Sequence, residues 1–286
     1  MGTLVEVAAT GSAATLPGAI EAAFSAIELV QRLMSFHDEN SDVSRINAAH
    51  PGVVVNVDAH TYTVLEYARR LSERTGGAFD ITVASILVRN GFLPQRSRAS
   101  QSDVVNEVTF RDLELLAGNQ VRWRRLGCID LGGIAKGYAV DCAVAAMKST
   151  GVVSGVVNAG GDLRCFGDKQ AIHVRRPDAP AELLALGWLR EGAIATSAGY
   201  FAGVQVDGRQ IDPLVDPQSR NCVAWGDSVS VVAAECMAAD ALTKVVRLAP
   251  MGIHDLLTGL EAQAVVIKDR TASTCGLTLL EQDGEG

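Results

Sequence analysis

Between Gly151 and Val206, strand-length apolar runs follow one another with only turns between them. "GVVSGVVNAGGDLRCFG" reads as a buried strand broken by a Gly-Gly turn. "AIHVRR", "GAIATSA" and "GVQV" follow, and Asp207-Gly208 has the composition of a hairpin turn. Parallel pairing needs a crossover of a dozen or more residues, usually a helix, so strands packed this closely pair antiparallel. "DSVSVVAAE" then reads as a strand feeding the helix "CMAADALTKVVRLA", a short helix follows Gly252, and "AQAVVIK" is a last strand. The N-terminal half adds a strand over Leu4–Ala9. A helix runs from Pro17 to Phe36, with Ile20, Phe24, Ile27 and Val30/Leu33 on one face. "HDENSDVSRINAAHPG" is a loop or a short turn of helix, and Val53–Val57 a short strand. A helix capped by Asp58 runs to about Arg74, where Gly76-Gly77 ends it. Residues 79–100 show no regular pattern, and "RNGFLPQRSRASQSD" reads as a mobile surface loop. "VNEVTF" and "QVRWRR" read as a strand pair joined through "LELLAGN", and "IAKGYAVDCAVAAMKS" as a helix stopped by Gly151. Hairpins mixed with a few long helices make an α+β fold. The expected organisation is one compact domain over residues 1–276 and a disordered tail over 277–286.

Composition narrows the function. The chain has 286 residues, 33 acidic against 25 basic, and a net charge of -8, which disfavours a nucleic-acid partner. No apolar run approaches the ~20 residues of a membrane span. The first residues, Met1-Gly2-Thr3-Leu4-Val5-Glu6, lack a basic leader segment. Six scattered cysteines without a C-x-x-C pair read as reduced, buried residues and point to the cytoplasm.

Four segments could carry chemistry. Asp130-Leu131-Gly132-Gly133-Ile134-Ala135-Lys136-Gly137-Tyr138, with Asp141 one turn on, opens a helix with three glycines and a lysine. Exposed amides, the positive end of the helix dipole and an ammonium suit a phosphate or pyrophosphate. A tight turn with a solvated Lys136 reads equally well. Asn158-Ala159-Gly160-Gly161-Asp162 lets backbone approach a ligand, or simply turns the chain. Thr196 and Ser197 end a strand with two hydroxyls. Asp240 lies in an otherwise apolar helix start, with Thr243 and Lys244 on its face at +3 and +4. A carboxylate with few companions suits Mg²⁺ shared with substrate phosphates.

Taken together and in order, these segments resemble the FAD:protein FMN transferases, the ApbE family. The resemblance runs from Met1-Gly2-Thr3 through "SDVSRINA" (41–48), "GGAFDITV" (76–83), "IDLGGIAKGYAVD", "VNAGGD", "ATSAGY", "VDPQS" (215–219) and "AADAL". It implies an α+β protein of two related T-fold-type halves. It also implies Mg²⁺-dependent cleavage of the FAD pyrophosphate, with transfer of FMN to a Thr or Ser hydroxyl of an acceptor flavoprotein and release of AMP. By resemblance, Asn47, Asp80, Lys136, Gly137, Asp141, Asn158, Gly160, Gly161, Thr196 and Ser197 line the FAD site. Asp240, a side chain one turn later and the Gly133 carbonyl hold the metal. Asp216 and Asp240 are candidates for the base, and Lys136 joins them in the catalytic set.

The chain departs from the family pattern at three places. Lys244 stands where the family carries Thr, Pro213 where it carries His, and Arg220 where it carries Gly. Lys244 implies one of two arrangements. It swings out while Thr243 supplies the metal oxygen, or it stays in and neutralises the pyrophosphate itself. Two further readings follow: a non-catalytic FAD-binding relative in which Lys244 replaces the metal, and an FAD pyrophosphatase.

Overall fold

A computed structural model of the chain describes residues 2–95, 108–198, 204–206, 209–223, 226–248, 251–268 and 271–281. In chain order the first half holds β1 (Val5–Thr10), α1 (Leu16–Met34), α2 (Asp42–Ala48), β2 (Val54–Asn56), α3 (Ala59–Arg74), α4 (Ala84–Arg89), β3 (Leu113–Leu116) and β4 (Gln120–Trp123). It is followed by α5 (Ala135–Ser149), β5 (Ser154–Ala159), β6 (Asp162–Phe166), β7 (Gln170–Arg175), β8 (Leu183–Leu189), β9 (Gly192–Ala198), β10 (Val204–Val206) and β11 (Arg209–Ile211). The last elements are β12 (Val215–Asp216), β13 (Asn221–Cys222), β14 (Ser228–Ala233), α6 (Cys236–Leu248), α7 (Ile253–Thr258), β15 (Gln263–Lys268) and β16 (Thr271–Gly276). The protein is therefore a mixed helix and antiparallel-sheet fold. Two compact units share it: Met1–Leu29 with Lys136–Phe201 and Gly226–Gly286, and Val30–Ala135 with Ala202–Trp225.

The first unit is built on a seven-stranded sheet in the order β1-β5-β6-β9-β14-β15-β16. Every neighbouring pair is antiparallel. Gly160 (φ 62°) and Gly161 (φ 99°) close the β5–β6 hairpin as a two-residue loop, with Ala159 opposite Asp162. Two successive positive φ values are the requirement of the hairpin turn whose twist matches its strands, and glycine meets it without strain. Strand alternation divides the sheet into two faces. One face carries Cys165, Ile194, Val232, Val265 and Ile267, and the β7–β8 hairpin packs on it through Ile172, Val174 and Leu189. The other face receives α6, as the Ser197–Thr243 hydroxyl contact shows.

The second unit holds a three-stranded antiparallel sheet, β2-β4-β3, with α2, α3 and α4. Ser41 caps α2 by accepting from Ser44 N (3.0 Å), and Asp58 caps α3 by accepting from His60 N (2.8 Å). Trp123 is buried and its indole N–H donates to Ile46 O (3.0 Å). A small apolar cluster of Ile86, Leu87 and Val215 holds α4 against the segment that carries β12.

Several expectations need correction. The buried face of α1 is Ala19, Ala23, Ile27, Val30 and Met34, at spacings of four, four, three and four. Phe24, expected inside, is 39% exposed. The alanines form the seam, and a pattern read from large residues misses them. Residues 81–89 are helical rather than irregular, because Asp80 caps a 3₁₀ turn that runs into α4. Six residues are too few to display a period. "LELL" is itself strand β3, and the turn is Ala117-Gly118-Asn119, with φ of 75° and 56° at its last two residues. Strands β8 and β16 were not anticipated. "VNEVTF" lies partly, and the segment 96–107 wholly, outside the described residues, as does Asp207-Gly208.

The tail is also corrected in part. Leu277–Glu281 is built into the first unit: Leu280 is 4% exposed in the sheet's core, and Glu281 exchanges backbone hydrogen bonds with Trp188 (2.8 and 2.9 Å). Residues 282–286 lie outside the described residues. Truncating a buried leucine to Ala removes about 2–5 kcal/mol in well-packed sites. Leu280→Ala is expected to destabilise the protein by at least ~2 kcal/mol in denaturant unfolding. A change below ~0.5 kcal/mol would mean that the tail is not part of the core.

Candidate functional site

The motif at the start of α5 serves first to dock two helices. A Cβ on Gly137 would overlap the carbonyl oxygen of Cys236, so only glycine lets the first turn of α5 reach the N-terminal backbone of α6. One turn on, Asp141 accepts from Cys236 N (2.9 Å) on one oxygen and Met237 N (2.8 Å) on the other, and Arg164 donates to the first (2.6 Å). Asp141 thus caps a neighbouring helix, filling the amides that every helix N-terminus leaves open. Burial raises its acid pKa, while Arg164 and the two amides pull the other way.

Docking places Asp240 at the centre of a chain of charges. Its side chain is 0% exposed. Lys244 donates to Asp240 Oδ1 and also to the Asp240 carbonyl oxygen (3.0 Å). Asp240 Oδ2 accepts from Gly137 N (3.2 Å) and Lys136 Nζ (3.5 Å). Lys136 in turn donates to Asp162, the first residue after the Gly160-Gly161 turn. The order is Lys244, Asp240, Lys136, Asp162, cation alternating with anion. Burial alone would raise the Asp240 pKa, but Lys136, Lys244 and the Gly137 amide outweigh it and hold the carboxyl below its usual range. Asp162 moves up instead, through burial and the negative charge of Asp240. Burial would lower the Lys136 pKa, yet Asp240 and Asp162 hold it above its ordinary value. Lys136 is therefore charged across the physiological range.

The remaining expected residues divide in two. Asn158 shapes its turn: Oδ1 accepts from Gly161 N (3.0 Å) and Nδ2 donates to Glu6 (3.1 Å). Thr196 and Ser197 point to opposite faces of the sheet. Ser197 meets Thr243 (2.8 Å) on the α6 face, and Thr196 meets Ser230 (2.8 Å) on the other. Thr243 donates its only proton to Asp240 O (2.7 Å), so Ser197 is the donor to Thr243. Asn47, Asp80, Gly133 and Asp216 belong to the second unit. Asn47 clamps Ile129, donating to its carbonyl (2.9 Å) and accepting from its amide (2.8 Å). Asp80 accepts from Thr82 N, Thr82 Oγ1 and Phe110 N, and burial raises its pKa. Gly133 lies in the turn whose Leu131 carbonyl accepts from Ile134 N and Ala135 N. Asp216 accepts from Gln218 N (2.9 Å) and opens a turn closed by Arg220, whose φ is 57°. A left-handed φ is one that glycine meets freely and arginine with strain. The sequence named Asp162 only as the end of its Gly-Gly segment and gave it no role, whereas the structure pairs it with Lys136; Ser230, the partner of Thr196 on the opposite face of the sheet, was not singled out. The signal for Asp162 was a lone carboxylate at the head of a buried strand.

The donor set at Asp240 does not fit Mg²⁺. Magnesium needs oxygen ligands in near-octahedral array. Both Asp240 oxygens already face ammonium groups, which would repel a divalent ion at contact distance. Among the described residues there is no group of three or more His, Cys, Asp or Glu that could hold a metal.

Comparisons with known proteins agree along the chain. A family model described as the ApbE family matches residues 1–266. An "FAD:protein FMN transferase" of Treponema pallidum is 27% identical over 85% of this chain and 75% of its own. A protein of that name from Vibrio cholerae is 29% identical over 76% of this chain and 69% of its own. The crystal structure of the ApbE protein of Thermotoga maritima superposes with a TM-score of 0.81 at 28% identity, covering 96% of this chain and 94% of that one. No helix among the described residues is long and apolar enough to cross a membrane.

The capping role of Asp141 gives a direct test. Removing a cap costs about 0.5–2 kcal/mol, and taking the carboxylate away from the half-buried Arg164 adds to that. Asp141→Ala is expected to lower stability by at least ~2 kcal/mol in denaturant unfolding. Unchanged stability would show that Asp141 does not hold α6.

Proposed function

Because the chain belongs to the ApbE family, we propose that it is an FAD:protein FMN transferase. The reading is carried by the match to relatives of that name along 76% and 85% of the chain. The geometry that supports it is Lys136, a charged ammonium 30% exposed at the first turn of α5. Phosphoryl transfer asks the protein mainly to position groups and to meet developing negative charge, which is what a preorganised ammonium beside helix amides does.

In the proposed reaction an acceptor Thr or Ser hydroxyl oxygen attacks the FMN-side phosphorus of FAD. A new P–O bond forms, the bond to the bridging oxygen breaks, and AMP leaves with that oxygen. The hydroxyl proton needs a base. Asp240 is a poor one, since its oxygens are engaged and its pKa is depressed. Asp216, with one oxygen on Gln218 N, is the carboxylate we assign to this role. Asp141 and Asn158 support the site by fixing backbone, since their polar atoms bind the chain itself, and Asn47 and Asp80 fix backbone in the same way within the second unit. Residues 1–276 are proposed as one transferase domain, because the family match draws on segments of both units. None of the six cysteines, all of them among the described residues, forms a disulfide, and a reducing compartment is the location we propose.

The test is incubation with FAD and a candidate acceptor domain, followed by intact-mass measurement. An acceptor heavier by one FMN, with AMP released, is the expected result. Lys136→Met is expected to slow transfer by about 100-fold or more. Free FMN and AMP with an unmodified acceptor would instead make the protein a pyrophosphatase. Bound, intact FAD would make it a binding protein.

A further inference from the structure

We propose that Lys244, acting with Lys136, takes the place of a divalent cation, so that the FAD diphosphate binds on two ammonium groups without metal. This rests on the FAD reading above and specifies how its site meets phosphate charge. An ammonium has three N–H donors. Lys136 directs two of them at Asp162 and Asp240. Lys244 directs two at the carbonyl and carboxylate oxygens of Asp240. Each lysine therefore keeps one donor, and each reaches solvent, at 30% and 18% side-chain exposure. The two lie on opposite oxygens of one carboxylate, so two cationic donors flank the same anion. A diphosphate presents oxygens on two adjacent phosphorus atoms.

Lys244 is not free to leave this position cheaply. It is bound twice to the same residue one helical turn back, an arrangement that fixes its long side chain. Swinging out would leave Asp240, 0% exposed, with half its compensation gone. Asp240 and Asp162 balance the two ammonium charges, which makes their burial tolerable. Thr243 cannot readily serve as an alternative metal ligand, because its hydroxyl is engaged by Asp240 O and Ser197.

The test is titration of the full chain with FAD, followed by flavin fluorescence, once in EDTA and once in Mg²⁺. The unmodified protein is expected to show affinities equal to within about twofold in the two conditions. Lys244→Met is expected to weaken binding in EDTA by about tenfold or more, and Lys244→Arg to retain most of it. A loss of about tenfold or more on adding EDTA to the unmodified protein would overturn the proposal, and needs no variant. So would a folded Lys244→Met protein, checked by circular dichroism, that binds FAD as tightly as the parent. Failure to bind FAD in either condition would overturn the FAD reading itself, whereas binding only with Mg²⁺ would overturn the lysine proposal alone.

Discussion

A carboxylate with no exposure to water, held between two ammonium groups, is the interaction around which the first unit is arranged. Burying a lone Asp240 would be costly enough to force it neutral. Lys136 and Lys244 prevent that, and each comes from a different helix. The pairing works only if α5 and α6 come within backbone contact, and two residues of α5 secure it. Gly137 removes the side chain that would hold the helices apart, and Asp141 fills the open amides at the start of α6. Position 137 then also supplies an amide to Asp240. What looks in sequence like a phosphate loop is, in the structure, first a helix-docking device whose by-product is an ammonium at the surface.

The sheet supplies the third side. The β5–β6 turn needs two glycines for its handedness and Asn158 to tie it down, and it delivers Asp162 to Lys136. On the next strand, alternation sends Ser197 toward α6 and Thr196 away from it. Neighbours in sequence are thus separated by the thickness of the sheet, and only one of them joins the chain of contacts to Asp240.

Much of this was legible beforehand, for physical reasons. Antiparallel pairing followed from strands with no room for crossovers, and Asp58 announced its helix because caps act locally. Lys136, Gly137 and Asp240 stood out as polar or flexible residues in apolar surroundings. Other features depend on partners far along the chain. Nothing local distinguishes an Asp141 that lines a ligand from one that caps another helix. Alanines at 19 and 23 made the seam of α1 where larger residues were expected, because close packing rewards small side chains as well as apolar ones. Short elements such as α4 and β3 are stabilised by tertiary packing and carry too few residues to show a period. The tail residue Leu280 belongs to the core for the same kind of reason: its partners lie on β7, β8 and the central sheet.

What occupies the space beside Asp240 when substrate is bound distinguishes a lysine-held diphosphate from a metal-held one. Crystals grown with FAD and soaked in Mn²⁺, measured at the manganese absorption edge, report this directly. The account predicts no anomalous peak bonded to Asp240, with Lys136 and Lys244 both on diphosphate oxygens. A manganese ion on Asp240 with Lys244 turned out to solvent would contradict it.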